Sequence, residues 1–190
     1  MENKNSNYRT ITYLPGTNSH NKDFSEIDDV LSDILHNHKN IKLLIVGKLD
    51  VDEKMFPRHR IARLNWIDYF KLPQIIANSS VTLAPLVRSP FTYAKSHIKY
   101  VESAAFGTPA ICSPTDDICR HQSKGLHIAS TTFQWKKAIN HVLDNPLDKT
   151  TRRRLEKTVQ STAAAELSVE RFLASIGNVN SESFKAVVGH

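Results

Sequence analysis

Two lysines and a glutamate are spaced so that they share one side of a helix. Residues 94–109 (AKSHIKYVESAAFGTP) are predicted to form a single helix between two strands, and Lys95, Lys99 and Glu102 then fall on one line at i, i+4 and i+7. The free N–H groups of the first helical turn and the lysine charges could bind a phosphate. A carboxylate about 10 Å further along the axis could accept two hydroxyl donors, as a ribose offers. An ordinary salt-bridged helix face is the alternative.

The same segment has an apolar side. Ala94, Ile98, Val101 and Ala105 form a second line, a short rotation away from the charges, and we expect this line to face the sheet. The small residues within 104–107, Ala104, Ala105 and Gly107, would let the helix pack closely on that sheet.

Strands and helices alternate along the chain. Strands are predicted at 10–14, 41–46, 60–64, 81–86, 109–112 and 126–129, and helices at 24–36, 72–77, 115–121, 133–144, 148–165 and 169–176. This alternation favours parallel pairing with right-handed crossovers. We predict a doubly wound α/β fold: one domain with a six-stranded, Rossmann-like parallel sheet in the order 3-2-1-4-5-6.

A sheet of that order has a predictable ligand site. Chain direction reverses between strands 1 and 4, and ligands bind above the carboxyl ends of those strands. The loops concerned are 15–23 and 87–93, and the second of these leads into the charged helix. The expected crevice therefore lies next to the helix that carries Lys95, Lys99 and Glu102.

Length and net charge limit the number of domains and the classes of molecule that the chain is expected to bind. The 190 residues suit one domain, predicted over 10–176 between a polar tail at 1–9 and a flexible tail at 177–190. A net charge of +6 and a pI near 9.3 favour an anionic partner, whether nucleotide, nucleic acid or an acidic membrane surface. The basic residues late in the chain are interpreted as solvated helix faces.

Other residues exclude several site types. The two cysteines form no disulfide framework, and the nine histidines lack the short paired spacing of a zinc site. With no signal peptide and no apolar run of membrane-spanning length, a reducing cytoplasm is expected. Trp66 and Trp135 are interpreted as packing residues, although Trp66 could instead border a base pocket.

The loop after strand 1 has two interpretations. Gly16 could let the backbone approach an anion, with Lys22 supplying charge, or Pro15-Gly16 could simply be a turn. Neither a G-x-G-x-x-G fingerprint nor a P-loop is present. The Ser19, His20 and Asp23 group is not favoured as a hydrolase triad, because no strand-turn-helix elbow surrounds Ser19. Asp23 is predicted as a helix N-cap, with His20 free to face a ligand.

Four segments together resemble a known family. They are 13–17 (YLPGT) with 22–24 (KDF), 43–47 (LLIVG), 84–86 (APL), and 95–102 (KSHIKYVE) with 107–111 (GTPAI). The chain from about 10 to 165 is similar to the C-terminal, nucleotide-sugar-binding domain of a GT-B glycosyltransferase of the retaining family-four type, the glycosyl transferases group 1. The last segment is the specific one.

The resemblance implies a role for each matching residue. Donor-binding positions are Gly16, Thr17, Lys22, Lys95, Ser96, Lys99 and Glu102, and the catalytic ones among them are Lys22, Lys99 and Glu102. The lysines and Ser96 would neutralise the diphosphate, and Glu102 would hold the ribose. Thr17 stands where the family often has arginine, and Ala94 where it usually has a glutamate that contacts the sugar.

The resemblance also implies a function. The chain would bind a UDP- or GDP-linked sugar, without cofactor or metal, for transfer to a hydroxyl of a glycan or lipid-linked acceptor. That acceptor would bind a missing N-terminal domain, in cell-envelope polysaccharide or glycolipid synthesis. A cytoplasmic location is expected, with peripheral association at the inner face of the membrane as an option and without nucleic acid. The alternatives are a non-catalytic nucleotide-binding or regulatory module and half of a sugar-nucleotide epimerase.

Overall fold

The fold is built on one parallel sheet. The computed structural model describes residues 8–16, 20–65, 67–121 and 123–163. The strands are β1 (Arg9–Gly16), β2 (Ile41–Gly47), β3 (Ile61–Leu64), β4 (Val81–Ala84), β5 (Ala110–Cys112) and β6 (Leu126–Ile128). Their order is β3-β2-β1-β4-β5-β6 and each neighbouring pair is parallel. The predicted doubly wound α/β sheet and its strand order are confirmed.

Helices connect these strands and follow the last one. They are α1 (Asn21–Ser25), α2 (Asp28–Asn37), α3 (Leu72–Ala77), α4 (Pro90–Tyr93), α5 (Ile98–Ala104), α6 (Thr132–Asp144) and α7 (Lys149–Ala163). Short 3₁₀ turns lie at Glu53–Met55, Arg58–Arg60, Tyr69–Lys71 and Ile118–Arg120. Among the helices of the described ranges, none has both the length and the hydropathy that crossing a membrane requires.

The larger core lies between the sheet and helices α2 and α6. Ile11, Leu43 and Ile45 contribute to it from β1 and β2, because alternate residues of a strand point to the same face. Ile34 of α2 and Ile139 of α6 belong to the same cluster, and both are buried. This layer fixes the sheet that carries the site.

A smaller core covers the opposite face. Ala110 and Cys112 of β5 belong to it, whereas Ile111 between them belongs to the larger core. Tyr100 of α5 and Leu155 of α7 belong to the same cluster. Helix α5, on which most of the sequence argument rests, is therefore held against β5 and α7.

The predicted helix over 24–36 is two helices. Helix α1 ends at Ser25, and α2 begins at Asp28 after Ile27, which has φ −133° and is fully buried. Asp28 and Asp29 lie in the first turn of α2, where the helix dipole favours negative charge. The assignment of Asp23 as an N-cap is wrong, because this residue lies inside α1.

Two further elements are shorter than predicted. Strand β4 ends at Ala84, since Pro85 has no backbone N–H to donate to a neighbouring strand. The helix expected over 115–121 is only the 3₁₀ turn Ile118–Arg120, which the Thr115 hydroxyl supports by accepting from the Ile118 N–H at 3.1 Å.

The single helix predicted over 94–109 is also wrong. A separate short helix, α4, ends at Tyr93, and α5 begins only at Ile98. Residues 94–97 form a connection, so Lys95 does not share a helix face with Lys99. Ile98 is 52% exposed, whereas Val101 and Ala105 are partly buried against the smaller core. The buried face of α5 is instead Tyr100, Ser103 and Ala104.

Some sequence predictions fall outside the described residues. They concern residues 1–7 of the predicted polar tail, Thr17, Ser19, Trp66 and everything after residue 163, including the helix predicted at 169–176 and the tail from 177. Trp135 is 2% exposed within the larger core, which confirms its packing role.

Candidate functional site

A cavity opens at the carboxyl ends of the central strands. Its volume is about 290 Å³. The lining includes residues from the ends of β1, β4 and β5, the segments that follow them, and the start of α5: Tyr13, Leu14, Pro15, His20, Leu83, Ala84, Pro85, Leu86, Lys95, Ser96, His97, Ile98, Lys99, Tyr100, Cys112, Ser113, Thr115 and Ile118. Because β1 and β4 are the strands between which the chain direction reverses, the cavity occupies the expected crevice.

One wall of the cavity is cationic. Lys95, Ser96 and Lys99 all line it, although the first two lie in the connection before α5. The Lys95 ammonium lies 5.6 Å from the centroid of the Phe91 ring, within the range of a cation–π contact. Three residues predicted from sequence therefore meet at one cavity.

Glu102 lies one turn further along α5, outside the cavity lining. Its carboxylate accepts a hydrogen bond from the Lys99 ammonium at 3.1 Å, and the Glu102 side chain is 27% exposed. The salt-bridged face considered as an alternative is therefore present for this pair. Because an exposed ion pair contributes only about 0.2–1 kcal/mol, an anion that attracts Lys99 could release the carboxylate.

The loop after β1 supplies a histidine to the cavity. His20 Nδ1 lies 2.8 Å from an oxygen of Asp23, whose other oxygen accepts from the Val87 N–H at 2.8 Å. Asp23 is buried, and its two hydrogen bonds link the segment after β1 to the segment after β4. Burial, followed by the nearby Asp23 charge, raises the pKa of the Tyr13 phenol, which also lines the cavity.

The remaining predicted residues are less central. Gly16 ends β1 and pairs with Gly47 of β2, after an irregular register between Tyr13 and Gly16. Lys22 is exposed on α1 and is not among the residues that line the cavity. Thr17 lies outside the described residues.

The start of α5 is fixed by a cluster that the sequence analysis missed. The Asp117 carboxylate accepts from the backbone N–H of His97 at 2.9 Å and lies 2.5 Å from His97 Nδ1. His121 Nε2 is 3.8 Å from the other carboxylate oxygen. The hydrogen bond from the His97 side chain is the main cause that lowers the pKa of Asp117. Only the i, i+4 spacing of Asp117 and His121 hinted at this cluster, because His97 comes from a distant segment.

The floor of the cavity is apolar. Burial raises the pKa of the Cys112 thiol to about 12, so this side chain remains a neutral, small hydrophobic group, as the sequence predicted. An apolar floor in a cavity lined by two lysines and two histidines suits a ligand with a flat or apolar part and an anionic part.

Sequence comparison identifies a family. The profile described as Glycosyl transferases group 1 matches residues 9–145. No curated protein sequence matches the chain.

Solved structures share the fold. HepE from Anabaena, solved in complex with UDP, superposes with a TM-score of 0.67 at 12% identity, over 89% of this chain and 49% of HepE. Sucrose-phosphate synthase from Thermosynechococcus elongatus gives 0.64 at 16% identity, over 90% of this chain and 46% of that one. TarM gives 0.68 at 8% identity, over 91% and 36%. At these identities the likeness shows the fold alone, and the chain spans about half the length of the first two proteins.

Proposed function

The chain belongs to the glycosyl transferases group 1 family, and from that premise we propose that its cavity binds the nucleoside diphosphate part of a sugar donor. The observation that carries the proposal is the meeting of Lys95, Ser96 and Lys99 at the crevice between β1 and β4. HepE, which has the same fold, is solved with UDP, and with UDP-glucose in another crystal structure.

The cationic wall would do the chemical work. When a glycosyl group passes from its donor to an acceptor hydroxyl, negative charge develops on the departing diphosphate. Fixed positive charges at that position stabilise the transition state, and we assign this role to Lys95 and Lys99, with Ser96 as a hydrogen-bond donor. Lys22, which is exposed on α1, and the residues Gly16 and Thr17 complete the proposed diphosphate site from the loop after β1.

Glu102 would bind the ribose. In the structure its carboxylate is paired with Lys99, so the assignment requires the diphosphate to compete for the Lys99 ammonium. The freed carboxylate could then accept hydrogen bonds from the two ribose hydroxyls. Ligand binding would thus replace the exposed ion pair between Lys99 and Glu102 with two contacts to one ligand: Lys99 with its diphosphate and Glu102 with its ribose.

The identity of the nucleotide, the acceptor and the cellular role are properties of the whole enzyme. We propose UDP or GDP as the nucleotide, no cofactor, and a glycan or lipid-linked hydroxyl acceptor held by a second domain. A role in envelope polysaccharide or glycolipid synthesis, and peripheral association with the cytoplasmic face of a membrane, belong to the same proposal. The net charge of +6 is compatible with an anionic surface.

A non-catalytic module is the second candidate. Ala94 stands where a sugar-contacting carboxylate is expected, and it is exposed at the end of α4. A module of this kind would bind the nucleotide and gain little from the attached sugar.

Calorimetric titrations with UDP, GDP, UDP-glucose and GDP-mannose test both candidates. The donor-domain proposal predicts saturable binding of one nucleotide, with the matching sugar nucleotide bound more tightly. A module predicts that the attached sugar weakens binding or adds nothing to it. If none of the four ligands binds at millimolar concentration, the proposed function is wrong.

A further inference from the structure

Three potential metal ligands meet beside the cavity wall. His97, Asp117 and His121 each offer one ligand atom, and these atoms lie within 4.8 Å of one another. In the described part of the chain this is the only such group of three. All three side chains are about one-third exposed, so an ion could reach them from solvent.

We propose that His97, Asp117 and His121 form a binding site for a divalent transition-metal ion of the zinc type. Two imidazole nitrogens and one carboxylate oxygen are a donor set that suits Zn²⁺, and three protein ligands leave a fourth position for water. The proposal does not depend on nucleotide binding, because none of the three residues is assigned to the donor.

The distances are close to those that one ion requires. Two ligands bound tetrahedrally to Zn²⁺ lie about 3.3 Å apart when each bond is about 2.05 Å. His97 Nδ1 lies 2.5 Å from Asp117 Oδ2 and His121 Nε2 lies 3.8 Å from Asp117 Oδ1, and the one atom that each residue would offer lies within 4.8 Å of the other two. Shifts of no more than about 1.5 Å would bring the three atoms to the spacing that one tetrahedral ion requires. The two imidazole rings are already in contact, with centroids 4.0 Å apart and planes tilted by 35°.

The backbone holds the ligands in place. His97 is fixed immediately before α5, because its N–H donates to the same carboxylate. Asp117 and His121 flank the 3₁₀ turn Ile118–Arg120, and Ile118 is buried in the smaller core. The candidate ligands therefore come from two anchored segments rather than from mobile surface chains.

A bound ion would strengthen the link that the hydrogen bonds between Asp117 and His97 already make between two parts of the structure. One is the connection that carries Lys95 and Ser96, and the other is the turn after β5. A stronger link would hold the cavity wall more firmly, and an ion that binds only the folded chain also stabilises it against unfolding.

A calorimetric titration of the full chain with Zn²⁺ alone tests the proposal, with Co²⁺ absorption as a second readout of coordination. We expect one stoichiometric site that excess Mg²⁺ does not displace, since Mg²⁺ prefers oxygen ligands. His121→Ala and Asp117→Asn should each weaken Zn²⁺ binding by at least about tenfold. His141→Ala is the matched control, because His141 contacts the ring of His127 outside this cluster, and it should bind Zn²⁺ as the wild type does.

Several results would overturn the site. They are no stoichiometric Zn²⁺ binding, binding that His121→Ala and Asp117→Asn leave unchanged, loss of binding in His141→Ala, and displacement by Mg²⁺. Circular dichroism checks that each variant folds. If His121→Ala does not fold, Asp117→Asn decides: Zn²⁺ should raise the melting temperature of the wild type by more than that of this variant. A rise of equal size in both would contradict the proposal, and nucleotide titrations remain a separate test of function.

Discussion

At the scale of single residues, the pair of Lys99 and Glu102 connects the two halves of the proposed donor site. Their charged atoms are 3.1 Å apart without ligand, and Lys99 lines the cavity while Glu102 does not. A diphosphate at Lys99 and a ribose at Glu102 would be bound by adjacent turns of one helix.

The ribose assignment can be tested with a matched ligand pair. We expect the wild type to bind its nucleotide, UDP or GDP, about tenfold or more tightly than the 2′-deoxy form of the same nucleotide, because a hydrogen bond to a charged group contributes about 1.5–3 kcal/mol. Glu102→Gln should reduce this difference. Calorimetry with both ligands and both proteins measures it, and an undiminished preference in the variant would assign the ribose to another residue.

The two cysteines should differ in reactivity. Cys112 is buried, and its thiol has a pKa raised to about 12, whereas Cys119 is exposed. A thiol reagent at neutral pH should therefore modify Cys119 rapidly and Cys112 only after unfolding. Mass spectrometry of the modified folded protein, with Cys119→Ser as control, gives the answer. Rapid modification of Cys112 in the folded control would contradict its burial.

At the scale of elements, the sequence predicted which residues approach the cavity better than it predicted the helix that carries them. The i, i+4, i+7 spacing indicated one helix, yet Lys95 belongs to a connection and α5 begins at Ile98. The reason is a tertiary contact: Asp117, from the segment after β5, binds both the backbone and the ring of His97. Local spacing contains no information about such a contact.

Gly107, just after the end of α5, lies against helix α7. Gly107 has φ +67°, and a Cβ added there would lie 2.7 Å from Glu156 Oε1 and 3.0 Å from Arg152 Cβ of α7. Gly107→Ala should lower the free energy of unfolding by about 1–2 kcal/mol from backbone strain, with crowding adding to it.

Denaturant unfolding measures this loss, and Ser161→Ala, at an exposed position of α7, is the control, expected to change stability by less than about 0.5 kcal/mol. Gly107→Ala with wild-type stability would mean that the α5–α7 junction differs from the one described.

At the scale of the whole molecule, the sheet order places the site. The alternation of strands and helices predicted a parallel sheet with right-handed crossovers, and the order β3-β2-β1-β4-β5-β6, with its crevice between β1 and β4, is one of the few common orders for such a sheet. The cluster of His97, Asp117 and His121 did not follow, since it depends on how two distant segments pack. Topology was thus readable from sequence, whereas contacts between loops were not.

The proposed donor site is tested most directly by a calorimetric titration of UDP and GDP into the wild type, Lys95→Ala/Lys99→Ala and Lys124→Ala/Lys137→Ala. Both double variants lose two positive charges, but Lys124 and Lys137 are exposed and do not line the cavity as described. We predict saturable binding of at least one nucleotide by the wild type and the control, and binding at least about tenfold weaker in Lys95→Ala/Lys99→Ala. Equal affinities in all three proteins, or no binding to the wild type at millimolar concentration, would contradict the assignment of this cavity to the nucleoside diphosphate.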